Sequence, residues 1–224
     1  MKSKLTARRA VSLIESHGVL LVYPIENRDE PRSVWSESYP GVRMRWEWDS
    51  DGDDRVVNLW HLRAELAASR SVVYSKWHGG RATFFSRALF TAMLATLRAL
   101  GDPTRGLPRE SRQILDALEL DSPMSSRVLR EAAQLQGRLL ETTWTRAMRE
   151  LWTRLLIVGF GEVADGAFPS LAVGATHTLF EDLWLEAESM DVNERDALIA
   201  RFLPGRTAFG RQWEKSLKRV RAMR

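Results

Sequence analysis

Apolar positions over residues 109–174 recur at helical spacing and then break into two short apolar runs. Arg109–Leu120 and residues 125–134 read as two short amphipathic helices, followed by a turn at Gly137. A longer helix is expected over 141–155. The runs 157–161 and 171–174 then flank Ala164-Asp165-Gly166, a turn suited to a hairpin wing. Three helices closed by a hairpin form the order of a winged helix-turn-helix, in which the third helix enters a major groove.

The third helix separates into two faces. At about 100° per residue, Leu140, Trp144, Met148, Leu151 and Leu155 share one stripe, which is expected to pack on the first two helices. Thr142, Arg146, Arg149 and Thr153 fall on the opposite face. Arginine reaches phosphates and guanine edges, and threonine hydrogen-bonds either or touches a thymine methyl, so these four are the candidate DNA-binding residues. The same pattern also describes a solvated helix face. An Arg146–Glu150 bridge at i, i+4 would favour that plainer description.

The pattern upstream is mixed. Residues 6–16 read as a helix with Thr6 as N-cap and Gly18 as its stop, followed by the apolar segment 19–23. Residues 24–55 lack periodicity but hold Trp35, Tyr39, Trp46 and Trp48, which predicts a long ordered loop packed on the core. A helix is expected over 56–68. Strands at 72–77 and Arg81–Phe85 are expected around the Gly79-Gly80 turn, and a helix capped by Ser86 runs on to Leu100. Gly101-Asp102-Pro103 and Gly106-Leu107-Pro108 punctuate the chain, giving an expected boundary between domains 1–103 and 104–224. Helices over 178–189 and 193–202 and a final helix complete a chain without evident internal repeat. The fold class is thus mainly α with small β-hairpins: a winged helix-turn-helix unit packed with an α+β N-terminal domain.

Composition narrows the function classes. The 224 residues include nine tryptophans and no cysteine, which fits a packed core and excludes disulfides and thiolate metal sites. Glu15, Ser16 and His17 interrupt the apolar run that a secretory leader needs, and no segment is long and apolar enough to span a membrane. A cytoplasmic location is therefore expected. The net charge is only +4, but its distribution is uneven. Residues 206–224 carry seven basic side chains against one acid, Glu214, and residues 176–196 carry seven acids against one base, Arg195. In the final helix Phe209, Trp213, Leu217 and Val220 form one stripe and Arg211, Lys215 and Lys218 the opposite one. That basic face suits a phosphate backbone.

Other chemistries find no pattern. Counting from Asp49, Gly52 falls fourth rather than sixth in a calcium loop and the twelfth residue is Trp60, so the acidic run is read as a turn capping the next helix. His17, His61, His78 and His177 lack the spacing of a zinc site. Gly79-Gly80 has no phosphate-loop continuation, and no nucleophile-elbow sequence occurs. No metal or cofactor is expected.

Three segments carry a family resemblance: Leu59-Trp60-His61-Leu62, the run from Val73 to Ala82 (VYSKWHGGRA), and Ser86-Arg87-Ala88-Leu89-Phe90. Together they resemble the AlkZ-like winged-helix DNA glycosylases, and more closely the short AlkZ-related proteins. The resemblance implies packed winged-helix units shaped around duplex DNA and, in the full-length enzymes, hydrolysis of the N-glycosidic bond to a damaged base. There a Gln-x-Gln or Gln-x-Asp motif shortly after the first helix positions the attacking water. The matching region here, Leu21-Val22-Tyr23-Pro24-Ile25-Glu26-Asn27, lacks it. Gln134-Leu135-Gln136 lies far from that position and is taken as coincidence.

Three readings follow. The first is a duplex-DNA-binding module using Thr142, Arg146, Arg149, Thr153 and the wing, with Arg211, Lys215 and Lys218 adding backbone contact. The second is an active glycosylase in which Glu26 or Asn27, as an altered catalytic pair, orients the water. The third is a protein-interaction scaffold that no longer binds DNA.

Overall fold

The computed structural model describes residues 4–45, 53–165 and 169–222. In the first half α1 (Ala7–His17) starts at Thr6, whose hydroxyl accepts from Arg9 N at 3.3 Å, and stops at Gly18 with φ 71°. The strand β1 (Val19–Leu21) follows, then α2 (Val34–Ser38), closed by a reciprocal Ser33–Ser36 capping box. The aromatic stretch is ordered as expected where it is described. Trp35 is buried, and its Nε1 donates to Val42 O at 2.9 Å. Trp46, Trp48 and most of the acidic run lie outside the described residues. Asp53 does cap the next helix, α3 (Asp54–Ala68), by accepting from Arg55 N at 3.0 Å. The hairpin β2 (Val73–His78) and β3 (Arg81–Phe85) turns through Gly79 and Gly80, both at positive φ, and α4 (Arg87–Ala99) is capped by Ser86.

The second half repeats this order. It runs α5 (Arg109–Leu120), β4 (Met124–Ser125), α6 (Ser126–Ala132), a 3-10 turn over Arg138–Leu140, α7 (Glu141–Thr153), β5 (Ile157–Val163) and β6 (Ser170–Ala175). Four further helices follow: α8 (Thr176–Leu179), α9 (Glu181–Ser189), α10 (Val192–Phe202) and α11 (Ala208–Ala222). The shared order is helix, strand, helix, helix, strand, strand, with the first strand pairing the third in each half (β1 with β3, β4 with β6).

Small separate hairpins were expected, but the strands form one six-stranded antiparallel sheet of order β1-β3-β2-β5-β6-β4, making the fold α+β. The join is the pairing of β2 with β5 at Tyr74↔Gly159, where each hairpin satisfies the other's open edge. The sheet therefore runs across residues 101–108. Each half's longest early helix also reaches over the join, α3 lying against β5 and α7 against β2.

Alternation along the strands feeds three cores. Val19, Leu21, Val73, Trp77 and Phe85 face α4, α9 and α11. On the opposite face Leu20, Tyr74 and Phe84 pack with α1, α2 and α3, while Ile157, Val173 and Ala175 pack with α5, α6 and α7. Polar groups also cross the join: Arg63 of α3 is ion-paired with Glu162 of β5, both nearly buried. Burial pushes the nearby Tyr23 phenol up to about 12, an effect the Arg63 charge partly offsets.

Gly159 marks a close approach between the halves. A Cβ there would stand 2.3 Å from Tyr74 Cδ1, so the ring lies over a backbone that has no side chain. Gly159→Ala is expected to destabilise the fold by about 1–3 kcal/mol, the usual cost of overpacking. Urea unfolding of the full chain, with an unchanged slope and a lower midpoint, checks this.

Candidate nucleic-acid interface

The helix α7 presents the two faces that its spacing predicts, with a change at its end. Trp144, Met148 and Leu151 are buried against α5 and α6, and Thr142, Thr145, Arg146 and Arg149 are exposed. The helix ends at Thr153 instead of continuing to 155, because Leu155 adopts φ 57° and turns the chain into β5. Leu155 consequently packs in the core on the other side of the sheet. Thr153 leaves the exposed face as well: it is buried, and its hydroxyl donates to Arg149 O at 2.7 Å.

Ion pairing decides which arginines remain outward. Glu150 is 1% exposed and is held by Arg154 Nε at 2.7 Å and by Arg219 of α11 at 2.5 Å. Arg154 Nη1 also donates to Pro103 O at 2.9 Å and Arg105 O at 2.7 Å. Arg130 of α6 pairs with Glu141 and lies over the Trp144 ring at 4.7 Å. Arg146 and Arg149 pair with no carboxylate among the described residues, and the Arg146–Glu150 bridge is not formed because Glu150 points inward.

The final helix packs on the other face of the sheet from α7 and is linked to it through Arg219, which pairs with Glu150. Phe209, Trp213 and Val220 of α11 are buried, and Arg211, Lys215 and Lys218 are exposed. At one end of α11 the Phe209 ring meets His78 of the β2–β3 hairpin, centroids 5.2 Å apart, and Gln212 Nε2 donates to Trp77 O at 3.5 Å. Further along, Arg219 reaches Glu150. The hairpin end thus contacts α11, and a single ion pair ties α11 to α7.

A cleft of about 220 Å³ opens between α7 and that hairpin, lined by Lys76, Gly80, Ser126, Thr145, Arg149 and Trp152 among others. Among the described residues no carboxylate lines it. Lys76 is half-buried, and burial, then the charge of Arg63, hold its ammonium below the usual lysine range. Sequence spacing did not single out Lys76. The available signal was a cation in the apolar strand Val72–Trp77 with no acid nearby to pair with it.

The remaining candidates are dispersed. The Glu26 side chain is exposed and ion-paired to Arg28 at 2.5 Å. Asn27 is consumed as a clasp, donating from Nδ2 to Met44 O at 3.1 Å and accepting from Met44 N at 2.6 Å. Both sit at positive φ on an exposed surface turn. Gln134 and Gln136 are exposed on the turn after α6. His17 contacts Glu37, His61 is exposed on α3, and His177 lies against Trp184 with the rings tilted. Among the described residues no His, Asp or Glu cluster is arranged for a metal, and no helix is long and apolar enough to cross a membrane.

His78 gives this region a pH dependence. Burial, then the charges of Arg81 and Lys215, pull its imidazole from 6.5 down to about 4. The unfolded chain therefore takes up the proton first, so this contribution to stability is complete above about pH 6.5 and is lost as pH falls toward 4. Melting temperatures of wild type and His78→Gln between pH 7 and 4 check it. Wild type is expected to lose more stability across that window than the variant, and parallel curves would contradict the assignment.

The comparisons agree with the fold-wide resemblance. No curated protein and no solved structure matches the chain. One family model does, described as AlkZ related and matching residues 5–211, which takes in both halves of the sheet and all of the three cores except their Trp213, Leu217 and Val220 side chains. The chain belongs to the AlkZ-related family.

Proposed function

We propose that this protein binds duplex DNA, with α7 as the helix that enters the major groove and the β5–β6 hairpin as a wing. The observation that carries the reading is the outer face of α7. Thr142, Arg146 and Arg149 are exposed there, and neither arginine is neutralised by a carboxylate among the described residues. The order α5-β4-α6-α7-β5-β6 supports a winged-helix unit, since it brings a three-helix set and a hairpin to one end of the sheet. Membership of a family named for AlkZ supports a DNA partner.

The face of α11 extends the site. Arg211, Lys215 and Lys218 suit phosphate contacts, which fix register and add affinity without reading sequence. Thr153 has no part in this reading, because its hydroxyl is bound to its own helix. Glycosidic hydrolysis through Glu26 and Asn27 is not favoured either. A general base needs reach to a held water, whereas one of these residues is an exposed ion pair and the other a loop clasp.

Fluorescence anisotropy of a labelled 25-mer duplex tests the proposal. Wild type is expected to bind with an affinity that falls steeply with salt, as counterion release requires. Arg146→Ala/Arg149→Ala is expected to bind at least about tenfold more weakly, a loss of about 1.4 kcal/mol. A wild-type protein that binds no duplex even at low salt would leave the scaffold reading in its place.

A further inference from the structure

The cleft between α7 and the β2–β3 hairpin contains an unbalanced charge. Lys76 has no carboxylate within ion-pair distance among the described residues, since Glu162, the acid of this join, is taken by Arg63. An ammonium withdrawn from water without a counter-ion is costly, and the neighbouring guanidinium raises the cost. The cleft walls offer no remedy of their own. Lys76 and Arg149 supply two cations, Ser126 and Thr145 two hydroxyls, and Gly80 a backbone that a ligand can approach closely. Every polar contribution suits an anion with several acceptor oxygens.

We propose that this cleft holds one phosphate group of a nucleic-acid strand, with Lys76 as the inner cation and Arg149 as the outer one. The volume of about 220 Å³ admits a phosphate with part of its sugar. Arg149 belongs at once to the cleft and to the exposed face of α7, so a strand lying along that face has one phosphate directed at Lys76. The inference rests on the DNA-binding reading for the source of the phosphate, but not for the anion chemistry of the cleft. It also joins the two halves functionally. Lys76 comes from the first half and Arg149 from the second, and they meet only because β2 pairs with β5.

Two measurements on the full chain test it separately from that reading. In the first, anisotropy of the 25-mer duplex is followed against salt for wild type, Lys76→Met and Lys76→Arg. Lys76→Met is expected to bind about tenfold more weakly and to lower the slope of log K against log salt by about 1, as for one lost phosphate contact. Lys76→Arg keeps the charge and is expected to retain the wild-type slope. Melting curves of each variant establish that it is folded.

The second measurement uses wild type alone, with inorganic phosphate as the probe. The chain has only five lysines, so 13C labelling of their ε-carbons gives resolvable NMR titrations. Lys76 is expected to titrate below the usual lysine range, and to move up when phosphate is added. If wild type binds duplex but Lys76→Met keeps the full slope and phosphate leaves the Lys76 titration unmoved, the cleft inference is overturned and the DNA reading stands. If phosphate shifts Lys76 while wild type binds no duplex, the cleft is an anion site and the DNA reading fails. If neither responds, both fall.

Discussion

A single buried carboxylate organises the proposed binding surface. Glu150 lies on the inner side of α7, where two guanidinium groups hold it, Arg154 from the same helix end and Arg219 from α11. Breaking such a pair from one side leaves buried charge uncompensated, typically at a cost of about 3–5 kcal/mol, so the three groups stay together. Their positions fix much else. Arg154 also binds the carbonyls of Pro103 and Arg105, tying the segment between the halves to α7, and Arg219 links α11 to it. With Glu150 turned inward and Glu141 paired to Arg130, no carboxylate of α7 pairs with Arg146 or Arg149 among the described residues. The internal ion pair and the external basic face are therefore two results of one arrangement.

The two halves share a topology but divide the chemistry. In α3, Arg63 is turned inward to Glu162, and the outer surface offers Val57, Trp60, His61 and Glu65. In α7 the acid is inward and the arginines outward. A groove-reading role suits only the second arrangement, since a face holding Glu65 and apolar side chains gives a phosphate backbone little to bind. What the first half contributes is its hairpin. Carried across by the β2–β5 pairing, the hairpin end sets Lys76 and Gly80 against α7 and His78 against α11.

Local signals made much of this legible in the sequence. Thr6, Ser86 and the Gly79-Gly80 turn act within a few residues of their own positions, and the elements they bound form where expected. The outward placing of Arg146 and Arg149 followed from helical periodicity alone. Long-range pairing was not legible. β2 and β5 are paired on both sides and covered on both faces, so they read only as short apolar runs with nothing to name their neighbours. The repeated topology was hidden for the same reason: it lies in strand order, not in residue identity. Thr153 was misplaced because the whole last turn of α7, residues 150–153, is enclosed by the surrounding fold, which helical spacing does not show. Lys76 was missed because a lone polar residue in a strand looks like ordinary alternation until the opposite strand is known.

Hydrogen–deuterium exchange of the full chain with and without a 25-mer duplex tests the central claim most directly, since it locates a bound surface without altering it. DNA is expected to slow exchange over residues 76–81, over the first turns of α7 and along the 211–218 stretch of α11. The acidic segment 181–196 and the turn at Glu26 and Asn27 should be unaffected. Protection centred on that turn, or on the outer face of α3, with α7 unchanged would contradict it.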